Sequence, residues 1–109
     1  MKILLDENMP RKLRYRFGDD HEVATVQDMG WDSKENGELL RVLLEAGFGV
    51  FITGDAKMQY EQNWKQYPIP VLVLQARDNK YETYLPFVPQ VLALLAAGAP
   101  PGPTVLAGG

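Results

Sequence analysis

The chain has 109 residues, with 46% hydrophobic and 23% charged side chains and a net charge of -3, the make-up of one globular domain with a single core. It has no cysteine and one histidine, His21, which excludes a disulfide framework, a thiolate nucleophile and a zinc–thiolate or multi-histidine centre. Met1-Lys2 leads into only three apolar residues before Asp6, and the longest apolar run, 91–97, falls well short of the ~20 residues of a membrane span. A cytoplasmic protein with no membrane partner is expected.

The first element is a strand over 2–5, Lys2-Ile3-Leu4-Leu5, which stops at Asp6-Glu7-Asn8. Asn8 is a good N-cap and Pro10 suits a first helical turn, so a short helix is predicted to run to Gly18 with Leu13 and Phe17 inward. Within it Arg11, Lys12, Arg14 and Arg16 form a basic patch on an otherwise acidic molecule. Residues 21–26 alternate and are rich in Val and Thr, the pattern of a second strand. A loop with Gly30 and Trp31 follows. Leu39, Leu40, Val42, Leu43 and Ala46 then define a helix that opens at Ser33 or Asn36 and ends at Gly47.

A third strand, Val50-Phe51-Ile52-Thr53, stops at Gly54-Asp55. Residues 56–65 read as one or two helical turns carrying Tyr60 and Trp64. Pro70 opens a buried strand over 70–74, where it need not donate to a ladder. A last helix is predicted over 84–97, with Pro86 and Pro89 tolerable only near its start. After Gly98 the Pro/Gly-rich tail 99–109 is expected either to add an edge strand through Thr104-Val105-Leu106 or to be disordered. The domain proper is therefore drawn at 1–98.

Strands and helices alternate throughout. The expected fold is α/β, a three-layer α/β/α sandwich around a mostly parallel four- or five-stranded sheet with right-handed crossovers. Short apolar runs bounded by turn residues suit strands buried on both faces.

Ligands of such sheets sit beyond the carboxyl ends of the strands. Asp6 and Asp55 both fall there, at the ends of the first and third strands. Neighbouring strands lie about 4.8 Å apart, so the two carboxylates would repel and call for a cation between them. Either could instead cap the turn that follows it. Glu38 is the third candidate: the first turn of a crossover helix opens near the same edge, although the helix dipole alone favours an acid there. Glu7, Asn8, Asn36 and Lys57 are auxiliary candidates, Lys57 as a phosphate contact or a plain surface lysine.

Carboxylates without histidine or cysteine are hard oxygen ligands, which point to Mg²⁺ or Mn²⁺ and to metal-assisted phosphodiester hydrolysis. Arg11 and Arg14 could grip a nucleic-acid backbone, or simply face solvent. Gln62 and Asn63 lie beside Tyr60 and Trp64, an amide–aromatic mixture suited to bases. No Walker loop, dinucleotide fingerprint or nucleophile elbow is present, and a phosphoacceptor–lysine pair of receiver type is missing.

Three segments together, Met1-Lys2-Ile3-Leu4-Leu5-Asp6-Glu7-Asn8-Met9-Pro10, Asn36-Gly37-Glu38-Leu39-Leu40 and Phe51-Ile52-Thr53-Gly54-Asp55, resemble the PIN-like superfamily. They look most like its compact bacterial branch of uncharacterised small proteins, and Gln62-Asn63 also resembles that branch. The likeness runs from Met1 to about Val91. It implies a Mg²⁺- or Mn²⁺-dependent ribonuclease acting on RNA, as a toxin held by an antitoxin protein, with Asp6 as the first acid and Asp55 as the last. The acid that commonly opens the crossover helix falls at or beside Asn36, with Glu38 nearest. The helical region bearing another acid in full-size members is missing. The alternative expectation is a catalytically degenerate RNA- or protein-binding module of the same fold. A homodimer through the last helix is a further expectation.

Overall fold

The computed structural model describes residues 1–108, apart from the side chain of Glu61; Gly109, the last residue of the expected tail, lies outside the described residues. Five strands form one sheet: β1 (Lys2–Leu5), β2 (Glu22–Thr25), β3 (Val50–Thr53), β4 (Pro70–Gln75) and β5 (Gly102–Ala107). Their order is β2-β1-β3-β4-β5 and every pairing is parallel. The helices are a 3₁₀ segment (Arg11–Arg16), α1 (Asn36–Glu45), α2 (Met58–Glu61), α3 (Tyr81–Tyr84) and α4 (Phe87–Ala97).

Strand alternation sorts the core into two halves. Ile3, Leu5, Val50, Ile52, Leu72 and Leu74 point to one face, where Leu13 and Phe17 of the first connection and Tyr84, Phe87, Val88, Val91 and Leu95 cover them. Leu4, Phe51, Val71 and Val73 point to the other, under Leu39, Leu40 and Leu43 of α1 and Met58 of α2. β1, β3 and β4 are thus sealed on both sides, and their runs are continuously apolar for that reason. The expected three layers are present, and no helix is long and apolar enough to cross a membrane among the described residues.

Several local expectations change. Asn8 does not cap a helix: the first connection is a 3₁₀ segment with Pro10 at its N-cap and no side-chain cap bond. α1 opens at Asn36, again uncapped by a side chain. It closes as foreseen at Gly47, whose φ of 86° permits a Schellman turn with Phe48 N donating to Leu43 O at 3.1 Å and Gly47 N to Leu44 O at 3.1 Å.

The last helix predicted over 84–97 is α4, which starts only at Phe87, and a separate turn, α3, precedes it; Pro86 has no N–H to continue the ladder of α3, and Pro89 falls in the first turn of α4, where amides have no intrahelical acceptor anyway. Of the two outcomes for the tail, the edge strand is the one found. β5 pairs with β4 from Pro70↔Gly102 to Gln75↔Ala107, so the domain runs past residue 98.

The crossovers are not all of one hand. The β1–β2 and β4–β5 connections cover the same sheet face but travel in opposite directions across it. Two parallel connections with that relation must have opposite hands. β2–β3 and β3–β4 run over the other face in the β4–β5 direction and so share the hand of β1–β2. The β4–β5 unit is the exception to the uniform handedness expected from strand twist.

Candidate functional site

The chain leaves β1 for β2 on one side and returns to place β3 on the other. The sheet's topological switch point therefore lies between β1 and β3, the crevice where open α/β sheets hold ligands. Leu5 is in register with Ile52, and Asp6 N extends that ladder by donating to Ile52 O at 2.9 Å. Asp6 and Thr53 consequently emerge side by side, with Asp55 two residues beyond.

One buried hydroxyl joins the Asp6 carboxylate to the backbone of Asp55. Thr53 Oγ1 donates to Asp6 Oδ2 at 2.6 Å and accepts from Asp55 N at 3.0 Å. Asp6 Oδ1 accepts from Glu7 N at 2.8 Å, and Asp55 Oδ1 accepts from Lys57 N at 3.0 Å. The capping alternative is thus partly realised for Asp55, which closes the turn into α2. Each carboxylate oxygen has a second lone pair, so these bonds orient the acids without exhausting them.

Burial pushes the Asp6 carboxyl above its usual range, and the charge of Asp55 adds to the rise. The bonds from Thr53 and Glu7 N pull the other way without cancelling it. An acid in this condition is one whose ionised form a cation would favour.

Two neighbours complete the notch. Gly54 lies between Thr53 and Asp55, and a Cβ there would collide with Tyr84 Oη, with Tyr84 Cζ 3.4 Å away and Asn8 Oδ1 3.9 Å away. The missing side chain lets a phenol from α3 and an amide from the β1 turn reach the edge beside the two acids.

Glu38 does not join them. α1 turns Leu39, Leu40 and Leu43 to the sheet, which leaves Glu38 on the outer face with Arg41 and Glu45. There it accepts from Lys34 Nζ at 3.0 Å, and that bond with its charge holds the carboxyl below its usual range. No group of three acidic or histidine side chains able to hold an ion occurs among the described residues. The third ligand expected from helix position is therefore replaced by a solvent-side ion pair.

The auxiliary candidates divide. Glu7 is exposed, and its carbonyl accepts from Gln27 Nε2 at 2.8 Å. Lys57 is exposed and serves Asp55 through its amide. Asn36 and Gln62 meet in a separate shallow depression with Glu35 and Gly37, whose lining includes neither Asp6 nor Asp55. Asn63 Oδ1 accepts from Lys65 N at 3.3 Å within its own turn.

Arg11 and Arg14 both converge on Asp28, Arg14 Nη1 at 2.9 Å, so part of the basic patch is neutralised within the chain. Arg16 donates to Tyr81 Oη. Asp28 itself is fixed at the end of β2 by reciprocal bonds with Thr25, at 3.0 and 3.1 Å.

Two residues of the notch were not singled out in the sequence. Thr53 had a usable signal, a hydroxyl on the last residue of a buried strand before Gly-Asp. Tyr84 had none, since only the packing of α3 brings it there. Compared with family models, curated proteins and solved structures, the chain shows no match. The chemistry of the notch rests on its own residues.

Proposed function

We propose that the chain is a PIN-like, divalent-metal-dependent ribonuclease whose centre is the Asp6–Thr53–Asp55 notch. The observation that carries this reading is the hydroxyl bridge, which ties the Asp6 carboxylate to the main chain of Asp55 at the switch point, with the charge of Asp55 felt by an Asp6 whose ionised form burial disfavours. The donor set fits one Mg²⁺ or Mn²⁺, ions that bind through one or two carboxylates and complete their shell with water and phosphate oxygens. Two acids do not fit a two-ion centre. Bound there, the ion would polarise a phosphodiester and lower the pKa of a coordinated water.

The chain's own groups orient and hold. Thr53, fully buried, fixes the Asp6 rotamer through Oδ2 while Glu7 N fixes it through Oδ1. Asp55 is set by its own amide and by Lys57 N. Asn8 stands beside Gly54, with its Oδ1 3.9 Å from where a Cβ at that position would lie.

The absence of a third acid among the described residues, with Glu38 committed to Lys34, supports the second reading, an RNA- or protein-binding module without catalysis. Mn²⁺ titration of thermal unfolding separates the two. Wild type is expected to gain about 2.7 kcal/mol of stability at a hundredfold excess over Kd, and Asp6→Asn and Asp55→Asn are expected to lose that response while remaining folded. Cleavage of a single-stranded RNA should require Mn²⁺ and vanish in both variants. An identical Mn²⁺ response in all three proteins overturns the metal site. A response lost in the variants, with RNA bound and not cut, selects the binding module.

A further inference from the structure

Tyr84 is 1% exposed and packs its ring in the core against Phe87, with centroids 6.2 Å apart. A phenol buried this far normally finds a partner for its hydroxyl. Tyr84 Oη has no hydrogen-bond partner among the described residues, yet it is not one of the sealed, unpaired polar atoms, which are His21 Nδ1, Gln27 Oε1 and Thr83 Oγ1. Its oxygen lies against Gly54, in the turn between Thr53 and Asp55. Gly54 marks the place: any side chain there would occupy the volume of the phenol oxygen. Asp6 and Asp78 are the carboxylates whose charges bear on the phenol. Burial and these charges push its pKa up, so it stays a donor.

A donor without an acceptor, aimed at the edge where two carboxylates would hold a cation, lacks an anionic oxygen. We propose that Tyr84 contacts the substrate of this site, its hydroxyl donating to a non-bridging oxygen of a phosphodiester drawn to the notch. The inference rests on the reading of Asp6 and Asp55 as a metal site and adds to it a residue specific for the phosphate. The division of labour is physical. The carboxylates repel a free phosphate and can act on it only through a cation, whereas the phenol binds the oxygen directly and gives it direction. A hydrogen bond to a charged oxygen corresponds to about tenfold in affinity or more.

Tyr84→Phe keeps the ring and removes only the hydroxyl. Its thermal midpoint without metal is expected to match or exceed that of wild type, because no internal bond is lost. Its Mn²⁺-induced midpoint shift is expected to be unchanged. Its Kd for a dinucleoside monophosphate in the presence of Mn²⁺, measured by calorimetry, is expected to rise about tenfold or more. A drop in the metal-free midpoint overturns the proposal by showing that the hydroxyl is bonded within the fold. A Kd within twofold of wild type, or no binding of the probe by wild type, also overturns it while leaving the metal reading intact. Loss of any Mn²⁺ response in wild type removes both.

Discussion

Replacing Thr53 with valine tests the hydroxyl bridge with almost no change in shape. Thr53 is 0% exposed, so no water can substitute for the missing oxygen from its own side. The substitution deletes a charge-assisted bond to Asp6, worth about 1.5–3 kcal/mol, and a bond from Asp55 N worth about 0.5–1.5 kcal/mol. The added methyl returns roughly 0.8 kcal/mol through apolar burial. The expected net loss is about 2–3 kcal/mol, equivalent at ~4–8 °C per kcal/mol to a fall in Tm of roughly 8–24 °C. Urea unfolding followed by circular dichroism is the assay, with Cm expected to fall and the m-value to hold. Thr53→Ser is the control: it keeps both bonds and forfeits one methyl, about 1 kcal/mol. A valine variant within about 0.5 kcal/mol of wild type, or a serine variant as damaged as the valine one, would refute the bridge as the organiser of the notch.

The titration of Asp6 makes a second forecast. Its folded carboxyl has a raised pKa, chiefly through burial, so between the unfolded and folded values the native state holds the proton more tightly. Stability from this group is present at low pH and lost as pH rises through the folded value. Asp6→Asn cannot ionise and should be more stable than metal-free wild type at neutral pH, with the gap narrowing towards about pH 3. Paired thermal melts across that range check it, and a gap that is flat or widens on acidification sinks it. A third forecast concerns packing. Gly54→Ala places a methyl against Tyr84 Oη and Cζ, an overpacking expected to cost about 1–3 kcal/mol. Made in a Tyr84→Phe background the same change should cost much less, and additive costs in the double-mutant cycle would show that the two residues do not meet.

How much of this was legible depends on the range of the interaction. The strands at 2–5 and 50–53 were readable because burial on both faces leaves an unbroken apolar run, and the stop at Asp6 or Gly54-Asp55 is local turn chemistry. The Gly47 cap was readable for the same reason, since only its own turn decides it. Glu38 misled because its position near a helix start was apparent while its rotation about the helix was not. The neighbours Leu39, Leu40 and Leu43 claim the inward face and send Glu38 out to Lys34. The basic run 11–16 was visible as charge, but its neutralisation by Asp28, fourteen residues from Arg14, was not.

By itself the sequence determined the α/β alternation, the buried strands and the two aspartates at strand ends, because each depends on residue type and short spacing. Tertiary structure alone decided that β1 and β3 are neighbours, that Thr53 joins Asp6 to the backbone of Asp55, that Tyr84 arrives beside Gly54, and that the tail closes the sheet by a crossover of opposite hand. Strand order and side-chain approach come from packing the whole core at once: a hydroxyl at the end of β3 could be read from the sequence, but its partner Asp6, 47 residues away, could not.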